Sequence, residues 1–171
     1  MKWILRILIL LLVVCAIALA IGFALPAQQT HTRSITLKQT PETIFTLLAD
    51  LPNTPSWNPG VKKIDMLPPI DGKEASRQTL NGNTIITVIT TESTSPNHLV
   101  RTVGDTNGPF SGSWTYDIRA TADGSEVSLT EEATIPNPIF RLMCQIFGPT
   151  KYLDENLTYL ALHFGESPTI K

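Results

Sequence analysis

Residues 7–25 are an uninterrupted run of apolar side chains, and any fold of this chain must either keep that run out of water or shed it. Nineteen residues at about 1.5 Å rise each make roughly 28 Å of helix, close to the ~30 Å hydrocarbon thickness of a bilayer. One reading is a retained single-pass anchor. The other is a cleaved secretory signal, for which Lys2 and Arg6 supply a basic start and Gly22-Phe23-Ala24 the small residues of a cleavage site. The run is longer than the ~7–15 residues of an ordinary signal core, and at Leu25-Pro26-Ala27 a bulky residue and a proline precede the alanine, which favours the anchor. Cys15 follows Leu12-Val13-Val14, without the small residues expected before a lipidated cysteine, and reads as helix filler. Lys2 and Arg6 precede the span while Arg33 and Lys38 follow at a distance, a bias that puts residues 1–6 in the cytoplasm and the rest outside it.

Beyond residue 32 lie 139 residues, enough for one domain with a real core and too few for two ordinary ones. They carry 11 basic against 15 acidic side chains, and the nearest approach to a basic cluster is Lys62-Lys63. Nucleic-acid binding, which needs grouped cations on phosphates, is therefore not expected. Cys144 is the only cysteine outside the apolar run, so no disulfide forms within the domain, and His31, His98 and His163 have no metal-ligand spacing. Neither a metal nor another cofactor is implied.

Alternation over 33–38 predicts a half-buried strand. Residues 26–32 then form a linker reaching no more than about 23 Å, which keeps the domain near the lipid headgroups. A helix follows, with Thr40 as N-cap, Pro41 at the first position, Glu42 at the positive end and Ile44, Phe45, Leu47 and Leu48 as its apolar face. The prolines of 50–59 predict a rigid irregular loop carrying Trp57. Strands are predicted at 62–67, 74–80, 84–91, 98–103, 111–120 and 125–134, separated by turns at Asp71-Gly72, Asn81-Gly82, Ser95-Pro96-Asn97, 104–109 and Asp123-Gly124. Short connections predict an antiparallel meander. After Pro136-Asn137-Pro138 the period becomes helical: Ile139, Phe140, Met143, Ile146 and Phe147 form one stripe, Gly148-Pro149 interrupts it, and Tyr152, Leu153, Asn156, Leu157, Leu160, Ala161 and Phe164 continue to a stop at Gly165. The predicted class is α+β, a curved antiparallel sheet of about seven strands around a long C-terminal helix, in a folded domain 33–166 followed by a tail 167–171.

Three segments carry a resemblance. Pro41-Glu42-Thr43-Ile44-Phe45 leads to Trp57-Asn58-Pro59-Gly60-Val61; Gly108-Pro109-Phe110-Ser111-Gly112-Ser113-Trp114-Thr115-Tyr116 follows; then comes Thr130-Glu131-Glu132 with Asn137-Pro138-Ile139-Phe140-Arg141. In this order the chain resembles the SRPBCC superfamily, the START-like or helix-grip fold, in its polyketide cyclase/dehydrase-like branch, over residues 33–165. The resemblance implies a hydrophobic cavity between sheet and final helix, a lipid, sterol or polyketide-like ligand, and catalysis in only some members.

Alternation places Phe110, Gly112, Trp114, Tyr116 and Ile118 on one strand face, where the aromatics could line an apolar pocket or simply fill the core. On the next strand Glu131 shares a face with Val127 and Leu129, and Arg101 enters from the same side with Leu99 and Val103. An inward carboxylate needs a partner, an opening or a proton, so a Glu131–Arg101 pair beside the pocket is expected; the bland alternative is a bulge that leaves Glu131 solvated. Trp57 reads as a pocket lid, a membrane-facing aromatic or a plug fastening loop to core. Phe140, Met143, Phe147 and Tyr152 form either a cavity mouth or helix–sheet packing. Catalytic motifs are absent: there is no Gly-x-Ser-x-Gly elbow, phosphate loop or His-Glu-x-x-His. Asn156-Leu157-Thr158 matches a glycosylation sequon but lies in a packed helix. Three functions stay open: a membrane-anchored binder of a hydrophobic molecule or lipid, a cyclase- or dehydratase-like enzyme using Glu131 or Tyr116, and a protein-interaction module at the membrane.

Overall fold

In the computed structural model, which describes residues 2–104, 108 and 110–171, the apolar run becomes one helix, α1 (Lys2–Ala24), of which only Gly22 is buried. Three residues separate it from strand β1 (Gln28–Leu37). The predicted linker 26–32 is therefore mostly strand: β1 pairs with the last strand from Gln28 onward, and its early inward positions, Gln29, His31 and Arg33, are polar, which hides the alternation.

Helix α2 (Pro41–Ala49) starts where its cap predicts, with the Thr40 hydroxyl accepting from the Thr43 N–H, and buries Ile44, Phe45 and Leu48. The proline-rich segment is helical rather than irregular: a single 3₁₀ turn over Leu51–Asn53 leads into α3 (Thr54–Trp57), and each begins with a proline in its first turn, where the missing N–H costs nothing.

Strands β2 (Val61–Ile70), β3 (Lys73–Leu80), β4 (Ile85–Thr94), β5 (His98–Val103), β6 (Ser111–Thr121) and β7 (Gly124–Thr134) complete an antiparallel sheet in the order β1-β7-β6-β5-β4-β3-β2. The meander is as predicted. Its β2–β3 turn uses Asp71 and Gly72, both at positive φ, the arrangement a two-residue hairpin demands. Strand β2 runs on through Pro68 and Pro69, which an edge strand tolerates here because its register with β3 shifts between Leu67 and Ile70, so neither proline has a ladder partner. Of the predicted turn 104–109, residues 105–107 and 109 lie outside the described residues. At the other edge the supposed tail is fixed: Ser34 and Lys171 exchange two backbone hydrogen bonds at 2.9 and 3.1 Å, beside a bridge from Ile35 to Ile170.

The C-terminal helical stretch is divided at Gly148-Pro149 into α4 (Pro138–Phe147) and α5 (Lys151–His163). Helix α5 lies in the concave face of the sheet and buries Leu153, Asn156, Leu157, Leu160 and Ala161 against Ile35, Leu37, Val127 and Leu129. Helix α4 stands apart, with Arg141 as its one buried residue. Because Leu157 is wholly enclosed, Leu157→Ala is expected to destabilise the domain by about 3 kcal/mol, measured as the shift in urea unfolding of the full chain in detergent; an effect below about 1 kcal/mol would contradict this packing.

Candidate functional site

The inward alternation of β6 brings Trp114 to the middle of the site. In register it stands opposite Arg101 of β5 on one side and Glu131 of β7 on the other. Its indole Nε1–H donates to Glu131 Oε1 at 3.0 Å, and its ring lies 5.3 Å from that of Tyr152 and 6.5 Å, edge to face, from that of Phe110. The expected Glu131–Arg101 pair is thus corrected. Both side chains point inward, but Trp114 occupies the row between them, and two strand spacings put about 10 Å between their backbones. Arg101 is 7% exposed and donates to the Leu48 carbonyl at 2.6 Å instead.

Trp114 and Tyr152 divide two spaces. On the outer side is an apolar cleft of about 390 Å³, bounded by β1, β6, β7 and the α4–α5 junction. Its lining includes Phe110, Trp114, Glu131, Phe140, Met143, Phe147 and Tyr152, which brings together seven residues that the sequence proposed for a pocket. The cleft is open on one side, so the expected enclosed cavity is not what the fold provides. Sequence reasoning missed Gln29, His31, Ala133 and Cys144, which also line it: the first two lie in the unrecognised part of β1, and only the register of β1 with β7 puts His31 beside Glu131.

On the inner side is a chamber of about 30 Å³ among Thr54, Trp57, Asn58, Gln78, Arg101, Trp114, Tyr116 and Tyr152. Trp57 is 5% exposed and lines this chamber, which makes it a plug rather than a lid or a membrane-facing aromatic. Tyr116 is likewise interior, its hydroxyl donating to Asn156 Oδ1 at 3.0 Å, and so does not face the cleft. Leu99 and Leu129 are fully buried and serve as plain core. Asn156, committed to Tyr116 and 3% exposed, offers nothing to a glycan.

The environment sets the ionisation of these groups. Burial raises the Glu131 carboxyl above its usual 4.5, against the pull of the Trp114 hydrogen bond and the nearby His31. Burial also pushes the Tyr116 hydroxyl up to about 12, and lowers Arg101 by removing water from its guanidinium. Elsewhere His98 gathers Asp117 at 2.7 Å and Glu92 at 3.3 Å, and the hydrogen bond it donates to Asp117 raises its pKa; this is a surface ion cluster. No group of metal-ligating side chains occurs among the described residues.

A family model described as polyketide cyclase/dehydrase and lipid transport matches residues 28–161. Among solved structures, the chain is similar to the Zhui aromatase/cyclase from a Streptomyces species (TM-score 0.65, 12% identity, covering 78% of this chain and 91% of that one). It is also similar to a conserved protein from Geobacillus kaustophilus (TM-score 0.63, 16%, covering 83% and 99%) and to a START superfamily protein from Mycobacterium smegmatis (TM-score 0.59, 15%, covering 78% and 93%). At these identities the likeness is one of fold. No curated protein matches the chain.

The folded state holds the Glu131 proton more tightly than the unfolded chain does, so that contribution to stability is complete below the unfolded pKa and is lost as pH rises through the folded one. Glu131→Gln, neutral throughout, is expected to flatten the fall of Tm as pH rises above about 4.5, read by thermal unfolding at a series of pH values. Parallel profiles for the two proteins would show that the carboxyl is solvated.

Proposed function

Because the chain belongs to the polyketide cyclase/dehydrase and lipid transport family, the polyketide cyclase-like branch of the START-like SRPBCC superfamily, we propose that it holds a hydrophobic small molecule or lipid in the cleft beneath α4. The single observation that carries this reading is the cleft itself: about 390 Å³ walled mainly by aromatic and aliphatic side chains, within the range of small-molecule sites and too large to be a packing defect. A merely structural module would have no reason to leave it unfilled.

The source of the ligand is the adjacent bilayer. Helix α1 is long and apolar enough to cross a membrane, and its end is locked to α4. Arg141, buried under α4, donates to the Leu25 carbonyl and, at 3.3 Å, to that of Pro136, while Gly22 packs so tightly on the Pro138 carbonyl that a Cβ would collide with it. The outward face of α4 displays Ile139, Met143, Ile146 and Phe147, at the spacing of one helical stripe and about 50–70% exposed. A stripe of that kind beside a membrane span suits the lipid interface, and Met143 and Phe147 belong at once to this face and to the cleft. The domain therefore rests on the leaflet with the cleft mouth at the lipid surface, on the extracytoplasmic side if the charges at Lys2 and Arg6 set the orientation.

A second reading has one specific observation in its favour. Glu131, a carboxyl whose affinity for a proton is raised by burial, is the kind of group a cyclase or dehydratase would use at the inner wall of the cleft. It predicts turnover that Glu131→Gln removes.

The binding reading is tested by purifying the full chain from membranes in mild detergent and extracting what it carries. The wild type is expected to retain apolar molecules, and Ala133→Trp, which fills the cleft, to lose them while keeping the Tm. Wild-type protein that carries nothing, with the variant indistinguishable from it, would overturn the proposal.

A further inference from the structure

The inner chamber is unusual in what faces it. Arg101, Trp57 and Thr54 are all more than nine-tenths buried, and the Arg101 Nε, the Trp57 Nε1 and the Thr54 Oγ1 each lack a hydrogen-bond partner. Leaving such groups dry costs about 1–3 kcal/mol apiece, and more for a charge. Two of the three are obligate donors and the hydroxyl can donate, so what these three residues leave unpartnered is hydrogens rather than lone pairs, beside the amide side chains of Asn58 and Gln78. No acidic side chain lines the chamber among the described residues, and none forms an ion pair with Arg101. Burial dominates the environment of Arg101; Tyr116, Glu74 and Tyr152 act on it only through space, none of them as an ion-pair partner. A buried guanidinium without a counter-ion is costly, and an arriving anion would relieve that cost.

We infer that this chamber is the head-group end of the ligand site and accepts a carboxylate, so that the ligand is an amphiphile with an apolar body and one carboxylic acid. The inference rests on the cleft-binding reading, since the apolar body lies in the cleft. Size selects the head. The inner space is small beside the cleft, about 30 Å³ against 390 Å³ on the same measure, so it takes a compact polar head and not the apolar body. A guanidinium matches the planar pair of oxygens of a carboxylate in a way a point charge does not. The path is short: Trp114 and Tyr152 line both spaces, so their two rings are the only named side chains common to the cleft and the chamber. Tyr152 sits in the first turn of α5, next to the Gly148-Pro149 break, and rotation of its ring would join the two. Glu131 lines the cleft that the head group crosses, whereas no carboxylate lines the chamber itself among the described residues.

The test titrates the full chain in detergent with dodecanoate and with dodecanol, matched in chain length, and with naphthalene carboxylate as a rigid aromatic acid, reading bound fractions by native mass spectrometry. Dodecanoate is expected to bind at least about tenfold more tightly than dodecanol, the effect of one charge-assisted hydrogen bond or more. Trp57→Phe and Thr54→Val, each removing one donor with little change of shape, are expected to weaken dodecanoate several-fold and leave dodecanol unchanged. Arg101→Gln should abolish the preference; should it fail to fold because of its bond to Leu48, the other two variants still decide. Naphthalene carboxylate binding in place of dodecanoate assigns the same chamber to a soluble aromatic acid rather than to a membrane-derived one. Equal binding of acid and alcohol, unaltered by the variants, would overturn this inference and leave the cleft reading intact, whereas no binding of any probe would overturn both.

Discussion

The site is organised by the position of one indole. Trp114 fills the row between Arg101 and Glu131, holds Glu131 by a hydrogen bond on one side and meets Tyr152 on the other. Without it the interior would be one continuous space in which a buried cation and a buried acid faced each other. With it, the acid belongs to an apolar cleft, where burial favours the proton, and the cation belongs to a small polar chamber. The two polar groups that the strand alternation turned inward therefore have separate environments, and separate roles follow from that.

The division also depends on how the final helices are arranged. Helix α5 closes the core with its leucines, while the Gly148-Pro149 break lets α4 swing away from the sheet toward the end of α1. A continuous helix would have carried Phe140, Met143 and Phe147 onto the core and closed the cleft. The break and the Arg141 clasp on Leu25 together give the domain an apolar face next to the membrane-spanning candidate, and Met143 and Phe147 of that face also line the cleft. The apolar lining that α4 contributes to the cleft thus depends on one kink.

Much of this was legible in the sequence. The pattern of Phe110, Trp114 and Tyr116 against Val127, Leu129 and Glu131 gave the inward face of two strands, because alternation survives wherever a strand has one dry and one wet side. The cap at Thr40 and the Asp71-Gly72 turn were readable for the same local reasons. The start of β1 was not, since Gln29, His31 and Arg33 face the cleft and the Asp154 ion pair rather than the core, and a strand polar on both faces carries no periodic signal. Nor was the pairing of Arg101 and Glu131: one-dimensional alternation tells that two side chains share a face, but only the register across β5, β6 and β7 tells that a tryptophan stands between them. The tyrosine at position 116 looked like a pocket group and is an interior one for the same reason, because depth along the strand, not face, decides which of the two spaces it meets.

The central claim is that an apolar ligand occupies the cleft between β7 and α4 with Trp114 as its inner wall. Photo-crosslinking measures this directly: a lipid carrying a diazirine on its chain is loaded into the full-length protein in bilayers, irradiated, and the labelled residues are located by peptide mass spectrometry. The account predicts labels on Phe110, Trp114, Met143 and Phe147, in addition to those on α1. Labels confined to α1, with the cleft residues unmodified at saturating lipid, would contradict it.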